Sequence, residues 1–128
     1  MRNLRSSISR WKLYNAVQAV HRVAALIKEE VSQIILRDLH DPDLGFVTIT
    51  KVRLSNDLKH AKIYYSVLGD DEKKEKSADA LERSLKSIRM EVGHRIKVRA
   101  VPTLQFFYDD SIEYADRINH LINQINKE

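Results

Sequence analysis

FVTITKVRLSNDLKHAKIYYSV, residues 46–67, holds two β-branched runs on either side of a polar break. The second run alternates cleanly, with Ala61, Ile63, Tyr65 and Val67 on one side and Lys62, Tyr64 and Ser66 on the other. That period of two is the mark of a half-buried strand. The first run changes parity midway: Val47 and Ile49 point one way, Val52 and Leu54 the other. One extra residue near Thr50-Lys51, a β-bulge, reconciles them. Ser55-Asn56-Asp57 supplies turn chemistry, because these side chains bond nearby backbone and tolerate unusual dihedrals. So short a connection implies an antiparallel hairpin.

Helical patterns flank the hairpin. Upstream, Val17, Val20, Val23, Ile27, Val31 and Ile34 form one apolar stripe that ends before Asp41-Pro42. Downstream of Gly69-Asp70-Asp71, Ala78, Leu81, Leu85, Ile88 and Val92 define an amphipathic helix expected to stop at Gly93. RIKVRAVP, residues 95–102, then alternates charge with hydrocarbon and reads as a third strand, with Ile96, Val98, Ala100, Leu104 and Phe106 facing the core. Asp110-Ser111 can cap a last helix carrying Ile112, Ala115, Ile118, Ile122 and Ile125. The order helix, strand, strand, helix, strand, helix implies a small α+β domain with helices on one face of the sheet and the other face wet.

With 128 residues, three glycines and two prolines there is room for one core and no flexible linker. The absence of cysteine excludes disulfides, thiolate metal sites and a cysteine nucleophile. No two of the five histidines share a helical i, i+4 spacing, so no metal is expected. Asp70-Asp71 and Asp109-Asp110 could hold a metal for nuclease work, but both pairs sit where helices begin and complement the helix dipole. No phosphate loop or dinucleotide fingerprint is present, and no active site is read.

Charge is segregated. Residues 1–28 carry six Arg or Lys and no acid, and residues 83–99 carry six bases and one acid, while the remaining stretches are net acidic. Two basic blocks in an otherwise acidic chain point to a polyanionic partner; the plain alternative is an unevenly charged solvated surface. On the expected third strand Arg95, Lys97 and Arg99 share one face, ~6.5 Å apart, close to the phosphate step of a nucleic-acid strand. Arg83, Lys86 and Arg89 make a slanted row on the preceding helix, where Glu82 could pair with Lys86. Helix and strand rows together would form one continuous positive patch, with Arg22 and Lys28 added from the first basic block. Tyr64 could stack a base or be an ordinary exposed tyrosine; Phe106, Phe107 and Tyr108 read as core and rim. Residues 2–12, RNLRSSISRWK, fit a basic arm, the front of a helix or a transit peptide, and Trp11 within them could stack on RNA or pack on the helix.

Three stretches resemble the bacterial ribosome-binding factor A family. They are HRVAALIKEEVSQIILRDLHDPDLGF with its D-P-x-L-G turn at Asp41–Gly45, the hairpin block Leu54-Ser55-Asn56-Asp57-Leu58-Lys59-His60-Ala61, and RIKVRAVPTLQFFYDDS with its P-x-L-x-F segment. The resemblance implies a type II KH-like fold, over residues 21–128, behind a basic extension at 1–20. It implies a monomeric, cofactor-free, non-enzymatic RNA-binding factor on the small ribosomal subunit. Such a factor acts late in 16S ribosomal RNA maturation, chiefly in the cold. A ribosomal protein or assembly GTPase would be a further partner, a protein-binding adaptor is the alternative function, and the expected location is the bacterial cytoplasm, with organelle import as the other option. The family's Ala-x-Gly kink falls on Ser84-Leu85-Lys86, which lacks glycine, so side-chain rather than backbone contacts to phosphate are expected.

Overall fold

A computed structural model describes residues 2–127; the side chains of residues 1–8, within the expected basic extension, and residue 128 lie outside the described residues. Helix α1 spans Arg2–Gln33, so residues 2–12 form the front of a helix. No glycine or proline precedes Pro42, so nothing interrupts the hydrogen-bond ladder. The helix then widens into a π turn at Ile34–Asp38, closed by the Leu39 N–H on the Ile34 carbonyl at 3.0 Å. Ile27, Val31 and Ile34 are buried, Val23 is half-buried and Val17 is exposed. Residues 9–18 are exposed on every side, so this end of α1 stands off the body. The helix runs unbroken through the expected boundary after residue 20.

Strands β1 (Phe46–Leu54) and β2 (His60–Leu68) form the expected antiparallel hairpin, and the register shifts between Ile49 and Lys51 as the parity change requires. Asp57 Oδ1 accepts from Ser55 Oγ and the Lys59 N–H, and holds a turn that places Leu58 at φ 63°. Helix α2 (Asp71–Arg95) is capped by Asp70, which accepts from the Lys73 N–H at 2.9 Å. It crosses over to β3 (Thr103–Tyr108), which lies parallel to β2 and gives the order β1-β2-β3. Ile49, Ala61, Ile63, Tyr65 and Leu104 face Ile27 and Val31 of α1 and Leu81, Ile88 and Val92 of α2. The result is the α+β, KH-like arrangement expected, except that α2 is one continuous helix through Ser84-Leu85-Lys86.

Two expectations are corrected. Helix α2 continues past Gly93 to Arg95, and the third strand begins at Thr103 rather than near Arg95. The reason lies in the neighbour: β2 starts at His60, just after the hairpin turn, and the Thr103 N–H bonds the Lys59 carbonyl at 2.9 Å. Residues 97–102 lie beyond that turn and have no strand to pair with. Their alternation survives as burial only through Val98, with Ile96 buried and Val98 half-buried around exposed Lys97, while Ala100, expected to face the core, is exposed like Arg99. The second correction concerns α3 (Ser111–Asn126): its apolar stripe exists, but no residue of the helix is buried. Its cap is also one residue early, since Asp109, not Asp110, accepts from the Ser111 N–H.

Ser77 is the one buried polar residue among those described, and its Oγ accepts from the Gly45 N–H at 2.9 Å. A Cβ at Gly45 would lie 3.0 Å from that oxygen, so a larger residue would make Ser77 give way by a few tenths of an ångström. Ser77→Ala should cost about 1–3 kcal/mol by orphaning the amide, read as a lower urea midpoint at unchanged m-value. Wild-type stability would mean the amide bonds to water instead.

Candidate nucleic-acid interface

The expected continuous row of cations does not form, because its second half is not a strand and two of its arginines are locked on carboxylates. Arg83 reaches from α2 to Asp41 and Asp43, each at 3.0 Å. Arg95, at the end of α2, bonds Glu91 at 3.0 Å and Glu30 at 3.4 Å, and also Asp38. Both guanidiniums are held above their ordinary pKa, first by hydrogen bonds to Asp41 and Glu91 respectively. Arg89 serves the backbone: its Nε and Nη2 donate to the carbonyls of Pro102 and Val101 at 3.0 and 2.9 Å. Those carbonyls have no strand partner, so the arginine satisfies them.

Lys86, on α2, is exposed, and the pairing with Glu82 does not form. Lys28 is exposed on α1. Arg22 and Lys97 line one groove, of about 470 Å³, between α1 and the 96–98 segment. Arg99 and Arg89 line another, of about 490 Å³, which also takes Lys59 and His60 from the hairpin end. Val23 and Val98 border both grooves, so the two make one trough along the crossing of α1 and the 96–103 loop. Among the described residues, none of Arg22, Lys59, Lys97 and Arg99 has a carboxylate within ion-pair distance. Asp57 is the acid in the second groove, and it is already occupied by Ser55 and the Lys59 N–H. The trough thus collects five of the eight expected residues, Arg22, Arg89, Arg95, Lys97 and Arg99, of which Arg89 and Arg95 are already engaged with oxygens of the protein. Lys59 was missed because only the parallel pairing of β3 brings the hairpin tip to it.

The open face of the sheet was also underread. Lys51, Arg53, Lys62, Tyr64 and Phe107 share it, with Lys51 opposite Tyr64, Arg53 opposite Lys62, and Tyr64 opposite Phe107. The Tyr64 and Phe107 rings stack at 5.7 Å between centroids. Phe107, read as core or rim, is 37% exposed. The signal was present in the alternation Thr103, Gln105, Phe107 against Leu104, Phe106, Tyr108. One aspartate of each pair is engaged: Asp70 caps α2, and Asp109 accepts from Thr50 Oγ1 at 2.6 Å and from the Ser111 N–H and hydroxyl.

The family model of Ribosome-binding factor A matches residues 19–122. The chain is 42% identical over 111 residues to a protein named Ribosome-binding factor A from Halothermothrix orenii, covering 87% of this chain and 91% of that one. It is 41% identical over 107 residues to the protein of that name from Macrococcus caseolyticus, covering 84% and 94%. Among solved structures it is similar to the crystal structure of ribosome-binding factor A from Thermus thermophilus, with TM-score 0.62, 26% identity, and 70% and 93% of the two chains covered. It is also similar to a Thermus thermophilus ribosome binding factor A homology model fitted into the cryo-EM map of a 30S complex, with TM-score 0.60, 26% identity and the same coverage, 70% and 93%.

Asp109 is depressed to about 2, first by its hydrogen bond from the Ser111 hydroxyl and then by Thr50. A carboxylate whose folded pKa lies below its unfolded value stabilises the fold above about pH 4 and loses that contribution as pH falls toward about 2. The difference in denaturation midpoint between wild type and Asp109→Asn should therefore be constant at neutral pH and shrink across that acid window. A difference that does not change with pH would refute the assignment.

Proposed function

The chain belongs to the ribosome-binding factor A family, and on that premise we propose that it is an RNA-binding assembly factor. In this reading it docks on the small ribosomal subunit and assists late 16S ribosomal RNA maturation, chiefly in the cold, without turning over a substrate. The observation that carries the reading is the trough at the crossing of α1 and the 96–103 loop, edged by Arg22, Lys59, Lys97 and Arg99. Cations without carboxylate partners lose least when they exchange water and counterions for phosphate.

Side chains do the gripping. A nucleic-acid-binding KH domain presents backbone amides through a Gly-x-x-Gly loop. Here the corresponding residues, Ser84-Leu85-Lys86, lie inside α2, where the amides are consumed by the helix ladder. Contacts of side chains to phosphate fix position and register without reading sequence. A factor that recognises a folded ribosomal RNA surface needs that kind of contact. Lys86 and Lys28 are exposed on α2 and α1 and would extend the charged surface. A second reading, a protein-binding adaptor for a ribosomal protein or assembly GTPase, draws on the exposed apolar stripe of α3, where Ile112 is 63% and Ile125 is 70% exposed.

Neutralising Arg22, Lys97 and Arg99 together to Gln should weaken binding to isolated small subunits and lower the slope of log K against log salt by about 2–3, since each phosphate contact contributes about 0.7–0.9. Arg95→Gln serves as the contrast: it leaves Glu30, Glu91 and Asp38 without their shared cation, lowers the denaturation midpoint and leaves the salt slope alone. Subunit binding by the triple variant at wild-type affinity and slope would favour the adaptor.

A further inference from the structure

We propose that the open face of the sheet is a second RNA site, separate from the trough, which stacks an unpaired base on Tyr64 and Phe107. The two rings are register partners on β2 and β3, 5.7 Å apart and inclined by 30°. Lys51 Nζ lies 4.6 Å from the Tyr64 ring centroid, and Lys62 Nζ lies 5.8 Å from that of Phe107. Arg53 stands directly across from Lys62. An aromatic pair flanked by three cations on one flat surface can take a base by its π face and the adjoining phosphates by charge.

The composition of the face favours a single strand over its competitors. In a duplex the base faces are hidden by stacking, so the half-buried Tyr64 ring and the exposed Phe107 ring have nothing to engage. A protein partner is disfavoured because the centres of protein interfaces are depleted in lysine, and here Lys51 and Lys62 sit beside the only two aromatics in the middle of the face. Among the described residues, no carboxylate lies within ion-pair distance of Lys51, Arg53 or Lys62. Asp109, whose carboxylate feels the Lys51 charge, already accepts from Thr50 and Ser111. Helices α1 and α2 pack on the opposite, core side of the sheet. At the β1 edge α1 meets Lys51 and Arg53, where Val17 and His21 share a groove with them. Helix α3 is tied to the core side through Glu113, which bonds Lys74 at 3.2 Å and Tyr108. β3 is an edge strand, so a ribonucleotide chain can approach Phe107 from the rim.

The test uses the full chain and a fluorescently labelled single-stranded RNA, alongside the same sequence annealed into a duplex. Phe107→Leu and Tyr64→Leu keep apolar volume on an exposed face and remove the π surface. Each should weaken single-strand binding about tenfold, within the range for loss of one base–aromatic stack, and leave duplex binding unchanged. Lys62→Gln should weaken the single strand a few-fold and lower its salt slope by about 0.7. Unaltered circular dichroism and urea midpoints confirm that the variants fold. Single-strand binding at wild-type affinity by both leucine variants overturns the proposal, as does an equal loss on the duplex. Loss of binding to a ribosomal protein with RNA affinity intact also overturns it, and assigns the face to a protein partner. Because the Arg22, Lys97 and Arg99 variant acts on the trough, failure of one site is read independently of the other.

Discussion

The parallel docking of β3 on β2 governs the rest of the molecule. Strand β2 is central, and its first residue follows directly on the hairpin turn, so β3 can pair no earlier than Thr103. The six residues before it are pushed outside the sheet, where their carbonyls need other partners and their side chains need other neighbours. Arg89 supplies the first by donating to Val101 and Pro102. Val23 supplies the second, since Val98 meets it where the loop crosses α1. The trough is the space left on either side of that crossing. A strand here would instead have aimed its three cations at the open face.

Arginine and lysine are used differently. All three arginines of α2 are engaged with oxygens of the protein itself: Arg83 on two aspartates, Arg89 on two carbonyls, and Arg95 on three carboxylates. A planar guanidinium with several donors can engage two or three acceptors from separate elements at once. Arg83 binds the D-P-x-L-G turn to α2, and Arg95 binds α2 to α1 and its π turn. The lysines Lys59, Lys62, Lys86 and Lys97 remain in solvent, and Lys51 lies half-buried over the Tyr64 ring. Counting positive charge along the chain therefore overstates what a polyanion can reach.

The two candidate surfaces suit different features of RNA. The trough has cations over an apolar floor and fits phosphate, whereas the sheet face has rings between cations and fits an exposed base. Ribosomal RNA during maturation offers both paired and unpaired segments. Helices α1 and α3 both extend past the core, the first with exposed Trp11 and Tyr14 stacked at 6.3 Å, the second with an uncovered apolar stripe.

Periodicity settled whatever depended on neighbours along the chain. The hairpin, the bulge at Thr50, the stripes of α1 and α2 and the wet sheet face all follow from which side chains a single strand or helix turn brings together. The family likeness was legible for the same reason, because its blocks are local. Where β3 begins was not, since that depends on the length of β2, which is remote in sequence from Thr103. Nor was the division of the cations: Arg95 is separated by 65 residues from Glu30 and by 57 from Asp38, and only packing α1 against α2 joins them. Alternation in RIKV reports which residues face inward, Ile96 and Val98, and both a strand and a loop laid on a core produce it. The choice between them is made by whether a neighbouring backbone has free hydrogen-bonding groups to offer, and only the tertiary fold decides that.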